Sequence, residues 1–144
     1  MSGIKIYVGC ALNDIPESEK KVFLLKISNL KDGLIKKGHT VLEFRGIGSH
    51  EDGDVYKTDI GNVYKCDLFV AVCDFASTGL GIEIGKAFCL NKPVLLLSMR
   101  KVSKMVTGSA KVEKNASYER YKSTPGMIRF VQTEIVRLGL RGKG

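Results

Sequence analysis

The stretch Asp67-Leu68-Phe69-Val70-Ala71-Val72-Cys73 runs through Asp74-Phe75-Ala76 into Ser77-Thr78-Gly79-Leu80-Gly81-Ile82-Glu83-Ile84-Gly85. Its first part is a continuous apolar run, the pattern of a strand buried on both faces. Its second part opens a helix, expected over Gly79 to Leu90, through a polar residue and closely spaced glycines. A strand that turns directly into a helix is half of a β-α unit, and parallel sheets are assembled from such units.

The same alternation extends to both ends of the chain. Ile4 to Val8 is a β-branched and aromatic run, a first strand ending at Gly9-Cys10. Pro16 suits a helix's first turn, Phe23, Ile27, Leu30 and Leu34 follow at helical spacing, and Gly38 is placed to close that helix. Thr40 to Phe44 reads as a second strand, residues 46–54 as a polar loop, and Val55 to Tyr64 as a short helix. Downstream, Val94 to Leu97 is another buried strand after Pro93. The segment 100–118 holds a short helix and an edge strand, and Thr124-Pro125 opens a last helix with Ile128, Val131, Ile135 and Leu138 on one face. The expected fold is a single α/β domain over residues 1–144. Its core is an open, doubly wound, mainly parallel sheet of about five strands with helices on both faces. No internal repeat or linker interrupts it.

Composition narrows the function classes. At 44% apolar and 26% charged residues the chain has the balance of a globular protein. No apolar run approaches the roughly 18 residues that span a bilayer, and no signal-peptide pattern opens the sequence, so the reading is cytoplasmic. Cys10, Cys66, Cys73 and Cys89 form no CxxC pair and have no histidine at metal-ligand spacing, which argues for reduced thiols rather than a zinc site or disulfides. Residues 1–99 carry 12 Lys and Arg against 12 Asp and Glu, whereas residues 100–144 carry 11 against 3, so the net charge of +8 lies wholly in the last third. That asymmetry suits an anion-binding face or a solvated basic surface. Without interleaved aromatics it does not by itself point to nucleic acid.

In open parallel sheets ligands bind beyond the carboxyl ends of the strands. The loops to inspect are therefore Tyr7-Val8-Gly9-Cys10, Cys73 to Ser77, and Ser98-Met99-Arg100. Glycines at the start of the helix after the third strand present free backbone N–H groups, a seat for an anion. Their spacing is neither the dinucleotide fingerprint nor a P-loop. Glu83, read as lying in that helix's first turn, is either a carboxylate favoured by the helix dipole or a reactive group facing the crevice among Gly79, Gly81 and Gly85. Asp59, with Asp54 preceding it, is either an exposed helical acid or a functional one. Asp67 lies at the opposite end of the sheet and is expected to make a turn contact. Tyr7 is expected in the core, and His39 and His50 receive no role.

Together these residues resemble the nucleoside 2-deoxyribosyltransferase family, and within it the branch of 2′-deoxynucleoside 5′-monophosphate N-glycosidases. The resemblance spans about residues 4–108. It is carried by Ile6-Tyr7-Val8-Gly9-Cys10, by Asp59 followed by Cys66-Asp67-Leu68-Phe69-Val70-Ala71, and most specifically by Ser77-Thr78-Gly79-Leu80-Gly81-Ile82-Glu83-Ile84-Gly85-Lys86-Ala87. Val102-Ser103-Lys104-Met105-Val106-Thr107-Gly108 adds a weaker match.

The resemblance implies Glu83 as nucleophile on C1′, Asp59 as the acid assisting departure of the base, and Tyr7 as the group positioning the carboxylate. It implies substrate contacts at Gly9, Cys10, Ser77, Gly79 and Gly81, with Ser103 reaching into a partner subunit's site across a homodimer. No metal or organic cofactor is implied. Cleavage through an oxocarbenium-like state suits a carboxylate that traps the sugar and a second acid that protonates the leaving group. The sequence departs from the N-glycosidase branch after the first strand. There a Ser and an Arg hold the phosphate, whereas this chain reads Gly9-Cys10-Ala11-Leu12-Asn13-Asp14. Either Arg45, Arg100, Lys101 or Lys104 takes over that role, or the substrate is a nucleoside without phosphate, as for the transferases. A non-catalytic nucleotide-binding or sensing domain on the same scaffold is the alternative outside enzymology.

Overall fold

The computed structural model describes residues 3–43 and 51–142. Five strands alternate with five helices: β1 (Lys5–Cys10), α1 (Glu17–Lys36), β2 (Thr40–Leu42), α2 (Asp52–Lys65), β3 (Leu68–Val72), α3 (Thr78–Cys89), β4 (Val94–Ser98), α4 (Lys104–Val112), β5 (Ala116–Arg120) and α5 (Thr124–Arg137). The sheet has the order β2-β1-β3-β4-β5 with every adjacent pair parallel. This is the flavodoxin-like arrangement, and the expected mainly parallel sheet is parallel throughout. The segment after Arg100 supplies both elements expected of it, a helix and an edge strand. Phe44, Arg45, His50 and the first part of the expected loop at 46–54 lie outside the described residues.

Side-chain alternation along the strands sorts the core into two layers. Ile6, Val8, Val70, Val72, Leu95 and Leu97 pack with Phe23, Ile27, Leu30 and Leu34 of α1 and with Met127, Val131 and Ile135 of α5. Tyr7, Phe69, Ala71, Val94 and Leu96 face the other way, toward Val63 of α2, Leu80 and Ala87 of α3, and Val106 of α4. The apolar period of α1 thus buries the residues its spacing names. Gly38 closes that helix at φ +95°, a conformation that favours glycine. In α5 the buried stripe is Met127, Val131, Glu134 and Ile135, while Ile128 and Leu138 lie at its margin.

His39 acquires a structural role. Its Nδ1 accepts from the Ile4 backbone N–H at 3.2 Å, and its Nε2 lies 2.6 Å from Gln132 Oε1, so the ring joins β1 to α5. Asp67 accepts from the Lys5 N–H at 2.8 Å, the turn contact expected at the amino ends of the strands.

Chain order reverses between β1 and β3, whose carboxyl ends meet at Cys10 and Val72. The crevice at such a switch point is where the topology leaves room for a ligand.

Candidate active site

Ser77 starts α3 in extended backbone geometry, and its Oγ accepts from the Leu80 N–H at 3.3 Å. This is an ordinary N-cap, satisfying one of the free donors of the first turn. The helix begins at Thr78, and its first turn contains no acid. Glu83 therefore sits in the second turn, beyond the expected first-turn position, where the dipole's effect has fallen off. Dipole stabilisation does not account for a carboxylate there.

What holds Glu83 is Tyr7. The phenol is 1% exposed and stacks on Phe69 at 5.3 Å between ring centroids, and its hydroxyl donates to Glu83 Oε2. The core role and the positioning role are thus filled by one side chain. Burial pushes the Glu83 carboxyl up to about 7; the Tyr7 hydrogen bond pulls the other way, and the negative charge of Asp59 adds to the rise. The same burial and the neighbouring carboxylate raise the Tyr7 hydroxyl, which stays a proton donor.

Glu83 and Asp59 line one cavity of about 190 Å³ between α2 and α3, together with Asp52, Val55, Tyr56, Ile60, Gly79 and Ile82. Ser77, Gly81 and Ser103 line a second cavity of about 310 Å³, with Lys101 and apolar groups that include Leu80, Ile84 and Val106. Glu83, Asp59 and Gly79 thus line one chamber and Ser77, Gly81 and Ser103 another, on opposite faces of α3. One holds the carboxylates, and the other holds hydroxyls, a helix amino end and a cation. Ser103 lines the same cavity as Ser77 within a single chain. A Cβ on Gly81 would meet no atom within 4 Å, so the glycine leaves open space over this turn.

Gly9 and Cys10 do not line either chamber. A Cβ on Gly9 would lie 2.7 Å from the Phe69 ring, so this glycine permits the close packing of β1 against its neighbours. Cys10 is buried among the α1-side core residues, and burial pushes its thiol up to about 12. Arg100 stacks over Phe75 at 4.3 Å and pairs with Glu19, which draws it toward α1 and away from the carboxylates.

Sequence reasoning missed the polar network at Asp74. This buried carboxylate accepts from the Tyr121 hydroxyl at 2.6 Å and the Met99 N–H at 3.0 Å, with Lys26 Nζ at 3.8 Å. It ties the loops after β3, β4 and β5 to α1 and forms part of the wall of the larger chamber. Its partners come from distant parts of the chain, so no spacing announces it. A further cavity of about 380 Å³, lined by Phe88, Asn91, Lys92 and Asn115 among others, contains none of these groups. Among the described residues no three His, Cys, Asp or Glu side chains converge as metal ligands, and no helix is long and apolar enough to cross a membrane.

No family model matches the sequence, and no curated protein matches it. Solved structures do. The chain is similar to the CMP N-glycosidase of Clostridium botulinum, with a TM-score of 0.71 and 21% identity over 90% of this chain and 98% of that one. It is similar to a 2-deoxyribosyltransferase from Bacillus psychrosaccharolyticus, with a TM-score of 0.60 and 22% identity over 97% and 99% of the two chains. The molybdenum cofactor carrier protein of Chlamydomonas reinhardtii also shares the architecture, with a TM-score of 0.58 and 14% identity over 93% and 99%. At these identities the likeness is one of fold, and that fold serves proteins with different tasks.

Proposed function

We propose that this protein cleaves the N-glycosidic bond of 2′-deoxyribonucleoside 5′-monophosphates through a covalent deoxyribosyl–Glu83 intermediate. The observation that carries the reading is the Glu83 carboxylate, held by the Tyr7 hydroxyl in a chamber it shares with Asp59. The likeness to an N-glycosidase and a deoxyribosyltransferase supports the same reaction class.

The bond changes balance without a cofactor. A Glu83 oxygen bonds to C1′ as the C1′–N bond breaks, and the protonated Asp59 gives its proton to the departing base nitrogen. Water then attacks C1′ while Asp59 takes its proton, and the C1′–O bond to Glu83 breaks, leaving a sugar phosphate. Tyr7 engages Oε2, fixing the carboxylate's rotation and favouring its charged form. The 5′ phosphate belongs at the amino end of α3, where Ser77 caps the helix and Gly79 lines the carboxylate chamber; Gly81, Ser103 and Lys101 line the cavity on the other face of that helix. A second copy docking over the exposed Met105 would extend this chamber and make the assembly a homodimer.

The burial of Cys10, which stands where the N-glycosidase branch carries a phosphate-binding Ser, favours a second reading, transfer of deoxyribose between bases on an unphosphorylated nucleoside. The fold shared with molybdenum cofactor carriers keeps a third, non-catalytic nucleotide binding. Incubation with deoxynucleotides and deoxynucleosides, with and without a free acceptor base, separates the three. Base release without acceptor supports hydrolysis and base exchange supports transfer. Binding without turnover across the panel would leave the carrier-like reading.

A further inference from the structure

The groove between α2 and α3 is built from two facing helical stripes. Asp52, Val55, Tyr56, Asp59 and Ile60 recur at the period of one face of α2, opposite Gly79, Ile82 and Glu83 of α3. Two of its apolar side chains remain open to solvent: Tyr56 is 55% exposed and Ile82 51% exposed. Apolar groups left uncovered inside a cavity lower their free energy when a flat apolar surface displaces the water over them. Among the described residues none of the groove's lining groups is cationic, so the groove suits an uncharged ring rather than a phosphate.

We propose that Tyr56 determines specificity in this site. Its ring is the wall on which the planar heteroaromatic leaving group stacks, with Ile82 closing the opposite side. The proposal rests on the reading of Glu83 as the nucleophile of a glycosidic bond. Tyr56 precedes Asp59 by about one helical turn, so a ring lying on Tyr56 presents its edge to the acid that must protonate it. Stacking on a tyrosine tolerates any base, because every base has a π face, and the wall selects flat leaving groups over saturated ones.

The test uses 2-aminopurine deoxyriboside 5′-monophosphate, whose fluorescence is quenched when it stacks. It is titrated into Glu83→Gln protein, to suppress turnover, with Tyr56 intact, replaced by Phe, or replaced by Ala. KM and kcat are measured in parallel in the Glu83 background. Tyr56 is exposed on a helix and Ala is a stronger helix former, so the Ala variant keeps its fold. Quenching is expected with Tyr or Phe, and Tyr56→Ala should weaken affinity and raise KM about tenfold, with kcat changed less. Binding of deoxyribose 5-phosphate, which has no ring to stack, should be unaffected. Unchanged quenching and KM in Tyr56→Ala, or no quenching with Tyr56 intact, overturns the proposal. Quenching that depends on Tyr56, without base release by the Glu83 protein, leaves the stacking wall standing and removes the glycosidase reading.

Discussion

Tyr7 and Glu83 lie 76 positions apart in the chain and share a hydrogen bond, the phenol of β1 donating to the carboxylate of α3 across the switch point of the sheet. The phenol is fixed by the core and the carboxylate reaches down from a helix that packs over it. Rigidity at one partner thereby becomes orientation at the other.

If Glu83 acts as the charged nucleophile, kcat/KM should climb with pH through about 7, where its raised carboxyl ionises in the free protein, and fall again at higher pH once Asp59 loses the proton it donates. A pH–rate profile checks this. An activity that instead declines through the same range would assign Glu83 the acid's role and Asp59 the nucleophile's.

Removing the donor should sharpen that profile. Tyr7→Phe keeps the ring stacked on Phe69 but deletes a hydrogen bond that lowers the Glu83 pKa. The acidic limb should move to higher pH, and kcat should fall by about tenfold or more as the carboxylate loses its anchor. Unchanged kinetics across the pH range would show that Tyr7 serves packing alone.

The same burial has a thermodynamic cost. The folded state holds the Glu83 proton more tightly than the unfolded chain, whose carboxyl has its ordinary pKa of 4.5. Between 4.5 and about 7 the folded protein therefore binds more protons, and this group's contribution to stability falls as pH rises. Glu83→Gln, which still accepts from Tyr7, should be more stable than the parent at pH 8, by on the order of 1–3 kcal/mol, with little difference at pH 4. Urea melts at the two pH values measure the change, and a pH-independent difference would contradict it.

Asp74→Ala should destabilise the fold by about 1–3 kcal/mol, since it leaves the Tyr121 hydroxyl and the Met99 N–H without their acceptor. It should also raise KM, because the loops it joins wall the larger chamber. Denaturant unfolding and steady-state kinetics on one preparation give both numbers, and a variant with parental stability would argue against the network.

The β-α alternation, the core positions of α1 and the buried strand at Leu68 to Val72 were legible from residue order, because they rest on periodicities of a few residues. Gly38 at a positive φ and Ser77 at a helix start were legible for the same reason, local backbone chemistry. The parallel pairing of β1 with β3, the division of the site into two chambers and the burial of Cys10 toward α1 depend on which faces the sheet presents to which helices. Residue order named Glu83, Asp59 and Tyr7 in separate elements, and only the family resemblance linked them as nucleophile, acid and positioning group. Folding joined Tyr7 to Glu83 and moved the carboxylate out of the helix's first turn. It also added Asp74 with Tyr121 and Lys26, a set that no spacing encodes, because hydrogen bonds and desolvation act through space and the chain supplies their partners from far apart.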